Sequence, residues 1–99
     1  DGPPEEFGAR VFTQRGCNAC HNVDGAAGGI GPTWKGLFGA DRPLTTGAVV
    51  KADAEYLRKA ILEPAAEIVA GYPPVMPSYK GILNDREIDA LIAYIQTLK

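Results

Sequence analysis

Hydrophobic side chains recur at helical spacing most clearly near the carboxyl end of the chain. Asn84 is a preferred N-cap residue, and Glu87 three positions later completes a capping-box pattern. The apolar positions that follow keep a helical period: Ile88, Leu91, Ile92, Ile95 and Leu98. This pattern predicts a helix from Asp85 to Leu98, which spans about 21 Å at about 1.5 Å per residue.

A shorter apolar stripe near the amino end predicts a first helix. The stripe consists of Phe7, Val11 and Phe12. Because proline suits the first helical turn, this helix is predicted to begin at Pro3 or Pro4 and to end near Gly16. Gly8 lies inside it, where glycine costs up to ~1 kcal/mol relative to alanine. We therefore expect another helix to approach closely at Gly8.

The middle of the chain is predicted to hold a long loop and two helices. Residues 22–47 show neither helical nor strand periodicity and contain seven glycines and two prolines. So long a loop in a compact domain indicates either that a cofactor organises it or that the predicted elements are wrong. Asp53 is a good N-cap for a helix through Leu62, and Pro64 opens a short helix from Ala65 to about Val69.

Strand patterns are scarce, and composition and charge narrow the class further. Val49-Val50 is too short to count as a strand, so the fold class is predicted to be all-α. The chain has 99 residues, which suits one domain with a marginal apolar core. Its net charge of −2, with no basic block, disfavours nucleic-acid binding. The sequence contains no run of 18 apolar residues, so no membrane span is predicted.

Residues 1–99 are predicted to form a single domain. Asp1-Gly2-Pro3-Pro4 is typical of a linker remnant or a processed end. We therefore expect either a mature protein or a domain of a longer chain.

Chemistry concentrates in one short motif, Cys17-Asn18-Ala19-Cys20-His21. The C-x-x-C-H spacing indicates covalent attachment of a c-type haem. On one helical turn, positions i, i+3 and i+4 share a face, so two thiols reach the porphyrin edge and the imidazole reaches the iron. The alternatives are a disulfide or redox dithiol, a zinc site completed by carboxylates, or two buried free thiols. A redox dithiol usually follows a strand, which is missing here.

Met76 is the candidate for the second axial ligand. The chain has one histidine and one methionine, and Met76 lies in the proline-rich segment 72–77. The alternative is a flexible core filler, a role usually found on a helix or strand. Histidine and thioether ligands together favour reduced iron and leave no open position. The pair therefore predicts electron transfer rather than oxygen binding or peroxidase chemistry.

Several further residues are candidates for supporting a haem. The carbonyl of Pro32 is placed to accept the N–H of the His21 imidazole, unless Gly31-Pro32 is a plain turn. Trp34 is predicted to pack on the haem rather than lie on the surface. Tyr72 and Tyr79 are candidates for hydrogen bonds to the thioether or a propionate, unless they only pack at the surface. Arg42 is a candidate for a propionate contact, unless it is an exposed arginine. Four lysines either border the haem edge or are ordinary surface residues: Lys35, Lys51, Lys59 and Lys80.

The order of the motifs resembles class I c-type cytochromes from Gly8 to Leu98. In chain order, the motifs of this sequence that carry the resemblance are Gly8-x-x-x-Phe12, Cys17-x-x-Cys20-His21, Gly31-Pro32-x-x-x-Gly36-Leu37-Phe38-Gly39, Met76-Pro77 and Leu91-Ile92-x-Tyr94-Ile95. The resemblance implies a first and a last helix that cross, with Gly8 facing Leu91 and Tyr94. It also implies that helices and loops wrap one covalent haem whose edge is partly exposed. Two positions depart from the mitochondrial pattern. Ala40 stands where the mitochondrial type has an arginine near a propionate, and Ala60 stands where it has a tyrosine that touches the methionine.

A closer resemblance is to the cytochrome c domain fused to subunit II of caa3-type haem–copper oxidases. It rests on residues 51–64 and on the short loop from Gly71 to Met76-Pro77. It implies an electron carrier, not itself an enzyme, which accepts electrons from a soluble donor protein. The carrier would pass them to the copper-containing domain of the same subunit, outside the cytoplasm, and reach the membrane only through the parent protein. The alternatives are a free-standing soluble cytochrome c and, third, a haem peroxidase or ligand-binding haem protein.

Overall fold

The computed structural model describes residues 3–26, 29–72 and 75–99. Its elements in chain order are α1 (Pro4–Gln14), a 3-10 turn (Cys17–Ala19), β1 (Asp41–Pro43), β2 (Val49–Lys51), α2 (Ala54–Leu62) and α3 (Asp85–Thr97). The three longer predicted helices are therefore confirmed, each to within two residues of its predicted ends. Asp1 and Gly2 of the predicted linker remnant lie outside the described residues, whereas Pro4 already belongs to α1.

Side-chain caps set the start of α2 and α3. The Asp53 carboxylate accepts the N–H of Tyr56 at 2.8 Å. At α3 both arms of the capping box form, because the Asn84 side chain accepts the N–H of Glu87 at 2.8 Å and the Glu87 carboxylate accepts the N–H of Asn84 at 3.0 Å. The local sequence therefore determines where these helices begin.

The α1 and α3 helices pack against each other at Gly8. A Cβ atom at Gly8 would overlap the backbone carbonyl of Ala90 and lie 2.8 Å from Cβ of Tyr94. The close approach and the contact with Tyr94 are as predicted, but the nearest atoms belong to Ala90 rather than to Leu91. The glycine is required because backbone atoms of α3 occupy the space of a side chain.

The prediction that Val49-Val50 forms no strand is wrong. β1 and β2 pair antiparallel in the register Asp41↔Lys51, Arg42↔Val50 and Pro43↔Val49. The ribbon closes through Gly47, whose φ of 93° favours glycine, and Lys51 pairs with Asp41 at 2.8 Å. Three-residue strands carry too little alternation to be recognised from sequence, and the fold remains mostly helical.

The predicted helix from Ala65 to Val69 does not form either. Residues 64–66 form a turn, and Val69 then makes a β-bridge with Leu44. The backbone N–H of Thr45 bonds the carbonyl of Ile68, and the N–H of Ala70 bonds the carbonyl of Pro43, both at 2.8 Å. The segment extends the ribbon because its backbone groups find partners there.

The core joins the faces of α1, α2 and α3 with the loop that carries Trp34. Its least exposed large side chains are Ile88, Leu91, Ile95 and Val11. Within the described ranges, no helix is long and apolar enough to cross a membrane.

Candidate haem site

A largely apolar cleft lies between the cysteine turn, the loop around Trp34, β1, α2 and the segment after Tyr72. Its volume is about 1000 Å³, counted out to its open mouth. The predicted site residues that line it are Cys20, His21, Pro32, Trp34, Tyr72 and Met76, together with Arg42. Predicted site residues from Cys20 to Met76 thus line one cavity, although the sequence presented them only as separate motifs.

The cysteine motif folds as a tight turn directly after α1. Gly16 takes a left-handed conformation with φ 77°, which lets the chain reverse into the 3-10 turn. The N–H groups of Cys20 and His21 both bond the carbonyl of Cys17, at 3.3 and 3.0 Å. The predicted helical-turn spacing is therefore present. The two cysteines are not joined by a disulfide, and burial raises the pKa of the Cys17 thiol.

The imidazole of His21 is held in one tautomer. Its Nδ1 lies 2.8 Å from the carbonyl oxygen of Pro32, which can only accept, so Nδ1 carries the proton and Nε2 keeps its lone pair. Burial lowers the pKa of His21, an effect that the Pro32 carbonyl partly opposes. The predicted contact between Pro32 and His21 is present, and a neutral imidazole is the form that ligates a metal.

The segment that carries Pro32 is fixed beside the cysteine turn by hydrogen bonds that sequence reasoning missed. They are Gly31 N–H to Cys20 C=O (2.9 Å), Trp34 N–H to Asn22 C=O (2.8 Å) and Thr33 hydroxyl to Asn22 side-chain oxygen (2.5 Å). A Cβ at Gly31 would lie 2.6 Å from Cε1 of His21, so the ring occupies the space that glycine leaves. The Asn22 and Thr33 pairing has no local sequence signal, because the residues lie in different parts of an irregular loop.

Trp34 connects the imidazole to the core. It is 5% exposed, and its ring centroid lies 5.4 Å from that of His21 and 4.7 Å from that of Phe12. The residue is buried at the cleft wall, where the prediction of haem packing requires it.

Arg42 is the least satisfied polar group of the cleft. It lies on β1 opposite Val50, and its Nε is buried without a hydrogen-bond partner among the described residues. An orphaned buried donor costs about 1–3 kcal/mol, and more when it is charged. Burial raises the pKa of nearby Tyr56, the positive charge of Arg42 partly opposes that rise, and the charge of Glu67 adds to it. This wall of the cleft therefore holds a buried N–H donor that an acceptor atom of a ligand would satisfy.

Comparison with known proteins decides the family. The family model described as Cytochrome c matches residues 6–99. The chain belongs to the cytochrome c family. Proteins of this family bind one haem c covalently and transfer electrons, and the two cysteines of the C-x-x-C-H turn fit that attachment.

Relatives of this cytochrome c fall into two groups. The chain is 29% identical to a cytochrome c2 of Rhodoplanes tepidamans, over 91% of this chain and 96% of that protein. It resembles the structure of cytochrome cH from Methylobacterium extorquens with a TM-score of 0.66 and 28% identity, over 94% and 97% of the two chains. It is also 34% identical to cytochrome c oxidase subunit 2 of Alkalihalophilus pseudofirmus, over 93% of this chain but only 25% of that protein.

The cleft of this cytochrome c fits a haem on three counts. Its walls are mostly apolar, a neutral imidazole with a free lone pair lines it, and the orphaned Arg42 suits a carboxylate group of the ligand. Met76 is half-buried and lines the same cleft, with Tyr72. Pro73 and Pro74 of the predicted stiff segment lie outside the described residues.

Tyr79 is not placed as predicted. Its hydroxyl donates to the carbonyl oxygen of Arg15 at 2.8 Å, and the phenol lies beside the Cys17 thiol rather than in the lining of the cleft. The expectation that Tyr79 bonds the thioether or a propionate is therefore corrected, because its only proton is used elsewhere. Burial raises the pKa of Tyr79, and the neighbouring Cys17 adds to that rise.

Two of the four candidate lysines are engaged in ion pairs. Lys51 pairs with Asp41 at 2.8 Å and Lys59 pairs with Glu67 at 3.3 Å. Such exposed pairs contribute about 0–1 kcal/mol, and they reduce the positive charge available to an acidic partner.

Proposed function

We propose that this protein is a His/Met-ligated haem c electron carrier that shuttles electrons between redox proteins outside the cytoplasm. The observation that carries the proposal is that His21 and Met76, the histidine and the methionine of the chain, line one cleft. When bound, the haem iron supplies a one-electron ferric/ferrous couple. Covalent attachment to a C-x-x-C-H motif takes place outside the cytoplasm in the family that the sequence resembles, which supports the location.

The residues of the chain would share the work of holding and tuning the cofactor. Cys17 and Cys20 would anchor it, and His21 would ligate the iron through Nε2 while Pro32 keeps the ring oriented. The thioether of Met76 would favour the reduced state and so raise the potential. With His21 and Met76 both holding the iron, the bound haem would exchange electrons without a bond being made or broken.

The relatives support the shuttle more than the oxidase domain. The chain is 29% identical to a protein named cytochrome c2 over 96% of that protein, and it resembles cytochrome cH over 97% of that chain. The second candidate function is transfer to the copper-containing domain of an oxidase, and the 34% identity with an oxidase subunit 2 favours it. An upstream copper-binding domain in the same reading frame would support the oxidase role, whereas a reading frame that encodes only the haem domain would support the shuttle.

Replacing Met76 by alanine tests the ligand assignment. Loss of the thioether is expected to lower the midpoint potential by more than about 59 mV, a tenfold change for a one-electron couple. It is also expected to open the iron to carbon monoxide. Potentiometric titration and the absorbance of the reduced protein measure both effects.

Val75→Ala is the matched control, because Val75 lines the same cleft but is 58% exposed and has no donor atom. An unchanged potential in Met76→Ala, or rapid carbon monoxide binding by the wild type, would contradict the assignment. The second result would instead favour a peroxidase or ligand-binding haem protein.

A further inference from the structure

The segment after Met76 is tied to the end of α2. The hydroxyl of Ser78 donates to the carbonyl of Leu62 at 2.6 Å. The backbone N–H of Tyr79 donates to the carbonyl of Ile61 at 3.1 Å. These bonds use carbonyls in the last turn of α2 that have no partner inside the helix.

A third tie runs from Tyr79 across the molecule. Its hydroxyl donates to the carbonyl of Arg15 at 2.8 Å, over a sequence separation of 64 residues. Arg15 stands two positions before Cys17, and its own side chain pairs with Glu87 of α3 at 3.3 Å. The tyrosine ring packs against the hydrophobic core. One end of this bond therefore lies beside the cysteine turn and the other lies three residues beyond Met76.

Residues 63–84 between α2 and α3 contain no helix or strand among those described. The segment is joined to the β-ribbon at Val69. Further along the chain, Ser78 joins it to the end of α2, and Tyr79 joins it to Arg15, just after α1. Met76 lies between these two places. Segments with few fixed contacts open locally at low free energy, so each tie near Met76 raises the cost of moving the thioether.

We propose that Tyr79 is a positioning residue that holds Met76 on the iron by tying the methionine segment to the chain just before Cys17. The inference rests on the proposed His/Met ligation. Tyr79 lies beside the Cys17 thiol and outside the lining of the cleft, and it acts on Met76 through the backbone. Its loss therefore favours replacement of Met76 by an external ligand while the fold is retained.

The test measures how tightly imidazole binds to the ferric holoprotein. Binding is monitored by the loss of the absorbance of thioether-ligated haem. Tyr79→Phe removes the hydroxyl and keeps the ring, and we expect imidazole to bind about 5-fold tighter, as the loss of one hydrogen bond implies. Ser78→Ala removes a neighbouring tie and is expected to shift binding in the same direction. It also keeps the test open if Tyr79→Phe fails to fold.

Tyr94→Phe is the matched control, since it removes the same hydroxyl from a ring that packs on Phe12 in the α1–α3 contact. Denaturant unfolding of each variant separates a local from a global effect. Unchanged imidazole affinity in Tyr79→Phe, or an equal change in Tyr94→Phe, would overturn the inference. A wild-type spectrum without thioether ligation would instead overturn the proposed ligand pair, so the two failures are distinguishable.

Discussion

Arg42 carries the buried polar group of the cleft that most needs a hydrogen-bond partner. Its Nε–H is buried and has no partner in the part of the chain that the structure describes, on a wall that also carries Tyr56. Replacing Arg42 by leucine removes the positive charge that a haem carboxylate would use. We expect the holoprotein to lose about 1.5–3 kcal/mol of unfolding free energy, the size of a hydrogen bond to a charged group. The midpoint potential is also expected to fall, because a positive neighbour favours the reduced state.

Lys51→Leu is the control on the same ribbon. Its ion pair with Asp41 is exposed on both sides, so its loss is expected to cost no more than about 1 kcal/mol. Denaturant unfolding and potentiometry compare the two variants. Equal losses would show that Arg42 acts as an ordinary surface charge.

Tyr56 gives a pH-dependent prediction at the same scale. Burial raises the pKa of its phenol above the ordinary value of 10.0. The unfolded chain then loses its proton first, so the contribution to stability is complete below pH 10.0 and falls as pH rises through the raised pKa. The difference in phenolate absorbance between wild type and Tyr56→Phe isolates this group. A midpoint at or below 10.0 would contradict the burial argument.

At the scale of elements, the contact between α1 and α3 depends on Gly8. Alanine there would gain about 1 kcal/mol of helix propensity, but its Cβ would overlap the Ala90 carbonyl. We expect Gly8→Ala to lower the free energy of unfolding by about 1–3 kcal/mol net, as overpacking usually does. Denaturant unfolding measures the change.

The neighbouring substitution Ala9→Gly separates packing from propensity in that experiment. It lies in the same helix and is expected to cost about 1 kcal/mol through propensity alone. If Gly8→Ala were instead stabilising, the close approach of the two helices would be wrong.

The elements also show which secondary structure local sequence specifies. The caps at Asp53 and Asn84 and the period of α3 depend on residues three or four positions apart, and these helices begin where predicted. The ribbon and the segment around Val69 depend on pairing with each other across more than 20 residues. That pairing overrides the helix propensity of residues 65–69, and no local sequence pattern indicates the pairing.

At the scale of the whole molecule, the cleft makes the fold dependent on its cofactor. The lining draws apolar side chains from α2, α3 and the loops, and a chain of 99 residues has little core to spare. We expect a Cys17→Ser/Cys20→Ser variant purified without haem to lose most of its helical signal in far-ultraviolet circular dichroism. The single variant Cys20→Ser, which keeps one anchoring thiol, is the control. A fully helical double variant would show that the protein core suffices alone.

The sequence by itself determined the chemistry that depends on near neighbours. The C-x-x-C-H motif and the scarcity of histidine and methionine predicted the attachment and one candidate ligand pair. Local patterns predicted the three long helices that form, but also a short helix at 65–69 that does not. The resemblance in the order of motifs indicated the family. Only the tertiary structure decided which distant groups meet: Arg42 at the cleft wall, Thr33 on Asn22, and Tyr79 on Arg15 instead of the thioether. The physical reason is the separation along the sequence between the groups that interact, because the hydrogen bonds of a cap or a turn form within four residues. A buried donor takes whichever acceptor the folded chain brings to it.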